Sequence, residues 1–228
     1  MDRRNLPWIL IAILLVVVVI TVLFIQLSQP AGPDIDLTEL GPAENVARWV
    51  ADDGSYHLGE KEAPVELVIY EDYGCTACSN FKRTSERTFL QDFVASGDVQ
   101  VEIYPVGIVS GQISIPALEA LYCAESYGYF WEYRHLLFTN FPNGLNQEKY
   151  IAFSSYLGID KSEFINCLTS NEFSDLIVNQ NQEAWAKGVQ NTPTFQINGE
   201  LYSGILYQVP EDSEDQSLEK LLNAALNK

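Results

Sequence analysis

The 228 residues suffice for one or two domains with a real core, and a formal net charge of −18 argues against nucleic acid or anionic lipid headgroups as partners. One methionine and two histidines leave little for a metal-handling surface, and neither a glycine-rich phosphate loop nor a basic pocket for an organic cofactor is visible. Four cysteines allow two disulfides in three connectivities.

The chain opens with Arg3 and Arg4, then an uncharged, overwhelmingly apolar run from Trp8 to Ile25. As a helix that run is about 27 Å long, close to the hydrocarbon thickness of a bilayer. It is too long for the apolar core of a signal peptide, and no A-x-A site follows it. Residues 1–27 are therefore expected to be an uncleaved transmembrane anchor. The first charges beyond it, Asp34, Asp36 and Glu39, are acidic. The positive-inside rule thus places the N-terminus in the cytoplasm and the rest, with all four cysteines, outside it. Disulfides persist in such a compartment.

Residues 28–42 read as a Pro-, Gly- and Ser-containing linker and 43–228 as the exported domain. Val46, Trp49 and Val50 are spaced for one helical face. Val65 to Tyr70 reads as a central strand, Cys75 to about Val94 as a helix, and Val99 to Val106 as a second strand, together a βαβ unit. Helices are predicted over Ile115–Ser126, Tyr129–Thr139, Gln147–Leu157, Lys161–Thr169 and Glu172–Lys187. Thr194–Ile197 and Glu200–Ser203 flank Asn198-Gly199, a type I′ hairpin signal. An acidic loop then leads to a last helix from about Ser217 to Leu226.

Chemistry concentrates in Gly74-Cys75-Thr76-Ala77-Cys78, where the first strand meets the first helix. A thiol at a helix N-terminus faces free N–H groups and the positive end of the helix dipole, which favour thiolate. Cys75 is thus expected to be the exposed nucleophile and Cys78, one turn further in, the resolving thiol. A merely structural bridge would close only four residues and stabilise by about 2 kcal/mol. A zinc site would need four ligands that His57 and His135 are not near enough in sequence to complete. Cys123 and Cys167 fall on two other apolar helices. Joined, they would close a loop of about 45 residues, the natural place for a structural disulfide, with a redox relay as the alternative. Glu71 and Asp72 read as exposed strand-end charges, or as a proton-transfer aid to Cys78.

Three ordered motifs together resemble a family: Asp72-Tyr73-Gly74-Cys75-Thr76-Ala77-Cys78, Phe130-Trp131-Glu132 and Gly188-Val189-Gln190-Asn191-Thr192-Pro193-Thr194. They are similar to motifs of DsbA-like thiol–disulfide oxidoreductases, over roughly Tyr56 to Leu226. The resemblance implies a thioredoxin-like α/β fold with a four-stranded sheet of order 2-1-3-4 and a helical insertion at about 112–187. It implies that Cys75 attacks, Cys78 resolves, and Thr192 and Pro193 form a substrate-facing cis-proline loop. It needs no cofactor and no metal. Its partners would be exported proteins with free cysteines and a membrane redox partner that recycles the pair. The expected activity is thiol oxidation, with reduction or isomerisation, or a non-catalytic metal-binding module, as alternatives. Thr76-Ala77 lacks the histidine of strongly oxidising members, which is expected to raise the Cys75 pKa. Tyr202 and Tyr207 are placed as possible groove residues.

Overall fold

The computed structural model describes residues 13–21, 35–36, 45–204, 206–208 and 216–227. The chain divides into two compact units, Met1–Asp34 and Ile35–Lys228. In the first, residues 13–21 are helical (α1), and the Thr21 hydroxyl donates back to the carbonyls of Val17 and Val18. Among the described residues no helix is long and apolar enough to cross a membrane. The remainder of the expected anchor, most of the linker and the acidic loop lie outside the described residues.

The second unit is built on a six-stranded sheet of order β1-β2-β4-β3-β5-β6. The strands are β1 (Arg48–Val50), β2 (Tyr56–Leu58), β3 (Val65–Glu71), β4 (Val99–Pro105), β5 (Thr194–Ile197) and β6 (Glu200–Ser203). β3 and β4 run parallel in the register Tyr70↔Tyr104, and every other pair is antiparallel. β3 sits centrally and is buried at every position but Glu66, which is why it reads as an apolar run rather than an alternation. β4 alternates, with Val99, Val101 and Ile103 facing the core. At the β5–β6 turn Asn198 and Gly199 both have positive φ, 47° and 92°, as a type I′ turn requires.

Two local expectations are corrected. The segment around Trp49 is a strand, not a helix. Asp52-Asp53-Gly54, with Gly54 at φ 87°, turns the chain back, and Trp49 stacks on His57 of β2 at 4.0 Å. The hairpin pairs with the free edge of β4, extending the expected four strands to six. The single helix over 75–94 is three pieces: α2 (Thr76–Thr84), α3 (Glu86–Phe89) and a π turn over Leu90–Val94. The chain leaves helical geometry at Ser85 (φ −128°, ψ −34°), and the wider turn lets Phe89, Leu90, Phe93 and Val94 all face the core.

Between β4 and β5 lies the helical insertion: α4 (Gly111–Glu125), α5 (Phe130–Asn140), α6 (Gln147–Tyr156), α7 (Lys161–Ser170) and α8 (Ser174–Ala186). Asn146 and Asp160 cap α6 and α7 by accepting backbone N–H bonds, as short polar side chains do at N-caps. A disulfide joins Cys123 of α4 to Cys167 of α7, with Cα atoms 5.9 Å apart. After β6, α9 (Leu218–Leu226) packs Leu218 and Leu222 onto the same core as Phe89, Leu136 and Phe195. Asp36, placed in the linker by the sequence, is bonded both ways to Asn140 at the end of α5.

Candidate active site

β3 delivers the chain to a tight turn before α2. Asp72, fully buried, accepts from the N–H of Gly74 through Oδ1 (2.7 Å) and from the N–H of Val109 through Oδ2 (2.9 Å). One carboxylate thereby ties the turn to the loop that enters α4. The approach is close enough that a Cβ at Gly74 would lie 2.5 Å from Ser114 Oγ, so only glycine fits. Asp72 and Glu71 are thus interior groups, not the exposed strand-end charges expected from sequence. Their neighbours are unfilled backbone donors and a buried cation.

Cys75 occupies the N-cap of α2. Its thiol donates to the Thr192 carbonyl at 3.2 Å, while Cys78 Sγ accepts from the N–H of Asp72 at 3.5 Å. Both cysteines carry free thiols. Cys75 is 6 % exposed and Cys78 2 %, so the order of accessibility is as expected, but Cys75 is less open than its terminal position suggests. The Thr192–Pro193 peptide is cis, and its loop brings Thr192 against the cysteines from the far end of the insertion. Cys75, Cys78, Thr192 and Pro193 therefore meet at one site, whereas Cys123 and Cys167 pair elsewhere in the insertion.

The two thiols are driven apart electrostatically. A hydrogen bond from the Cys78 thiol outweighs burial. With further help from Thr192 and the N–H groups of Cys78 and Ala77, it draws Cys75 down to about 6. Burial and the neighbouring Cys75 push Cys78 well above the ordinary thiol range. The Thr192 hydroxyl is buried, finds no other partner among the described residues, and lowers both thiols. The depressed Cys75 thiol agrees with the thiolate-favouring helix terminus expected from sequence, and these donors act without a histidine at Thr76-Ala77.

Behind the turn lies a charge cluster that sequence reading missed. Arg134 of α5 forks onto Glu71 through Nε and Nη2, each at 2.6 Å. It also reaches Glu86 through Nη1 (3.0 Å) and Nη2 (2.7 Å). Lys82 of α2 bonds Glu86 at 2.5 Å, and the Tyr73 hydroxyl donates to Glu71 at 2.8 Å. Burial disfavours the Glu86 charge, yet Arg134 and Lys82 hold its carboxyl down to about 2. The Ser79 hydroxyl adds a bond to the Phe138 carbonyl, so α5 is fastened directly to α2. The only sequence signal was a cation inside an aromatic-rich helix. Tyr207, placed provisionally at a groove, is a core residue whose hydroxyl donates to Asp92 at 2.7 Å.

Among the described residues no three or more His, Cys, Asp or Glu are grouped to hold a metal ion. The arrangement is suited to exchange: one thiolate-prone sulfur at a helix terminus, one protonated sulfur behind it, and a strand-start loop across from both.

Residues 51–224 match the family described as thioredoxin. The Na(+)/H(+) antiporter NhaA 3 of Salinispora tropica is 28 % identical over 152 residues, which cover 67 % of this chain and 23 % of the antiporter. The chain therefore spans about a quarter of the length of that curated relative. The probable disulfide bond formation protein D of Bacillus cereus is 24 % identical over 154 residues, covering 63 % of this chain and 70 % of that protein. The oxidised crystal structure of BdbD from Bacillus subtilis superposes with a TM-score of 0.62 at 20 % identity, over 82 % of this chain and 100 % of BdbD.

Proposed function

The chain belongs to the thioredoxin family, and from that membership we propose that it is an extracytoplasmic, membrane-tethered thiol–disulfide oxidoreductase that oxidises cysteines of exported proteins. The observation that carries this reading is the split between a Cys75 thiol at about 6 and a Cys78 thiol well above the ordinary range, in front of the Thr192–Pro193 loop. At pH 7 that leaves Cys75 about nine-tenths thiolate when reduced. Stabilising the reduced, thiolate form makes the disulfide the better oxidant.

The steps follow from this asymmetry. In the oxidised chain a substrate thiolate attacks Cys75 Sγ, the Cys75–Cys78 bond breaks, and Cys78 departs and takes up a proton. A second substrate thiolate then attacks the substrate sulfur of the mixed disulfide and expels Cys75, a good leaving group because its thiolate is stabilised. The substrate gains a disulfide and the chain holds the two electrons until a membrane redox partner removes them. The carbonyl of Thr192 that accepts from Cys75, together with the extended backbone leading into β5, offers strand-like bonding to a substrate segment of any sequence. Tethering rests on the Trp8–Ile25 run and its flanking charges, and the similarity to the probable disulfide bond formation protein D of Bacillus cereus supports work on disulfides.

The deciding experiment is the reduction potential of Cys75–Cys78, from alkylation after equilibration in glutathione buffers. A value of roughly −120 to −180 mV supports the oxidase or isomerase; about −270 mV recasts the chain as a reductase. A pair that neither exchanges nor alkylates ends the proposal.

A further inference from the structure

The main chain of Asp72 touches both cysteines. Its carbonyl accepts from the N–H of Cys75 at 3.0 Å, and its own N–H donates to Cys78 Sγ at 3.5 Å. The peptide that carries this N–H is held from its other side, where the Glu71 carbonyl accepts from the N–H of Val106 at 2.8 Å. The Asp72 side chain fixes the next bonds along, since one carboxylate oxygen takes the N–H of Gly74 and the other that of Val109. Val106 and Val109 both belong to the loop after β4. Asn181 of α8 grips that loop at Gly107, accepting from its N–H at 2.8 Å and donating to its carbonyl at 3.5 Å. The N–H aimed at Cys78 thus has little freedom to turn away.

Thiol exchange needs a donor at this place. When a substrate thiolate attacks Cys75 Sγ, a new S–S bond forms there, the Cys75–Cys78 bond breaks, and its electron pair stays on Cys78 Sγ. That sulfur is 2 % exposed, so bulk water cannot solvate the charge as it grows. Burial and the Cys75 sulfur raise the Cys78 thiol, and the hydrogen bonds of Thr192 and of the Asp72 N–H oppose them. A fixed N–H binds a thiolate more strongly than a neutral sulfur. It therefore favours the transition state over the disulfide before the step and over the thiol after it, once solvent has supplied the proton. Both carboxylate oxygens are engaged by backbone donors, so it is the main chain of Asp72, and not its carboxyl, that meets the sulfur.

We infer that the N–H of Asp72 is a catalytic donor that stabilises the departing Cys78 thiolate, and that the Asp72 carboxylate is a positioning group that keeps it aimed by holding Gly74 and Val109. The inference rests on the thiol-exchange reading above and assigns one step within it.

The test follows reduction of the oxidised full-length chain by glutathione, quenched with acid and read by mass after alkylation. Asp72→Asn leaves one side-chain oxygen for two N–H groups and turns a donor toward the second. Val109→Pro deletes the N–H at one end and leaves the carboxylate in place, and the side chain it replaces is 50 % exposed. In each variant the rate should fall about tenfold in both directions of the exchange, the scale of one hydrogen bond to a developing charge. The Cys75 midpoint should stay at about 6, and the equilibrium constant with glutathione should change by less than about threefold, or ~15 mV. Native rates in both variants overturn the inference. So does a slow Asp72→Asn beside a native-like Val109→Pro, because the carboxyl would then act on the sulfur itself. A slowing matched by a shift of the Cys75 midpoint also overturns it, since a loosened turn alone would cause that. Where either variant fails to fold, hydrogen exchange decides. Cys78→Ala removes the acceptor and should speed exchange of the Asp72 amide about tenfold relative to that of Val106, and an unchanged ratio overturns the contact. A native pair that does not exchange with glutathione at all sinks the reading above, and this step with it.

Discussion

Arg134→Met keeps an aliphatic stem in α5 and deletes the cation that joins Glu71 and Glu86. The side chains of Arg134, Glu71 and Glu86 are each only 3 % exposed, so water cannot replace the lost partner. Two interior carboxylates would be left with Lys82 as their one nearby cation. Removing one member of such a buried set costs about 3–5 kcal/mol, a large part of the ~5–15 kcal/mol that holds a domain folded. The pH dependence gives a second, signed readout. In the native chain Glu86 sits near 2, below its ordinary value of 4.5. Its contribution is complete above pH ~4.5 and is lost as pH falls through about 2, roughly 3 kcal/mol at 1.36 kcal/mol per pH unit. In Arg134→Met a carboxyl is instead driven up, and such a group stabilises at low pH and loses that contribution as pH rises. The variant should therefore gain on the native chain between pH 7 and pH 5. Urea unfolding followed by tryptophan fluorescence at both pH values measures both effects. A loss under ~1 kcal/mol at pH 7, with an unchanged pH slope, would refute this account of the cluster.

The thiolate absorbance of Cys75 should titrate with a midpoint of about 6, and its alkylation rate should fall about tenfold from pH 7 to pH 5. The reduced chain should also lose stability as pH drops through that midpoint, because the folded thiol lies below its unfolded value of ~8.5; the oxidised chain should show no such loss. Cys78→Ala removes the hydrogen bond that does most to depress Cys75, so that midpoint should rise, and mixed disulfides with substrate should persist long enough for mass spectrometry. The Cys123→Ala, Cys167→Ala double variant opens a loop of about 45 residues and should lose ~4 kcal/mol in a denaturant titration while Cys75 still alkylates.

The secondary structure was most legible where local signals agreed with the tertiary surroundings. Asn198-Gly199 specifies its turn by backbone freedom alone, and the helices of the insertion carry their caps, Asn146 and Asp160, in the adjacent sequence. The turn that carries Cys75 was readable because a helix terminus is a local electrostatic object. Trp49 was misread because three apolar residues fit either period, and only the unpaired edge of β4, distant in sequence, decides for a strand. The same limit applies to Glu71 and Asp72. Whether a carboxylate is exposed or interior depends on Arg134 and on the N–H of Val109, which arrive 63 and 37 residues later. The direction of the Cys75 shift was legible from the helix terminus, whereas the donors that set its size, the Cys78 thiol and Thr192, were not, because Thr192 lies 117 residues away in sequence.

The place of β3 in the sheet bears on how this chain comes to be folded. Ile69 pairs with Ile103 on one side but with Phe195 on the other, so one flank of the central strand waits for a segment more than a hundred residues downstream. A polypeptide made from its N-terminus must present that flank bare while the whole insertion is synthesised. During the same interval Cys75, Cys78, Cys123 and Cys167 have all emerged, ahead of the loop that will cover the first of them. The native pairing of Cys123 with Cys167 is then in competition with the reactive pair itself. The chain is thus exposed, while still half made, to thiol–disulfide exchange among its own cysteines.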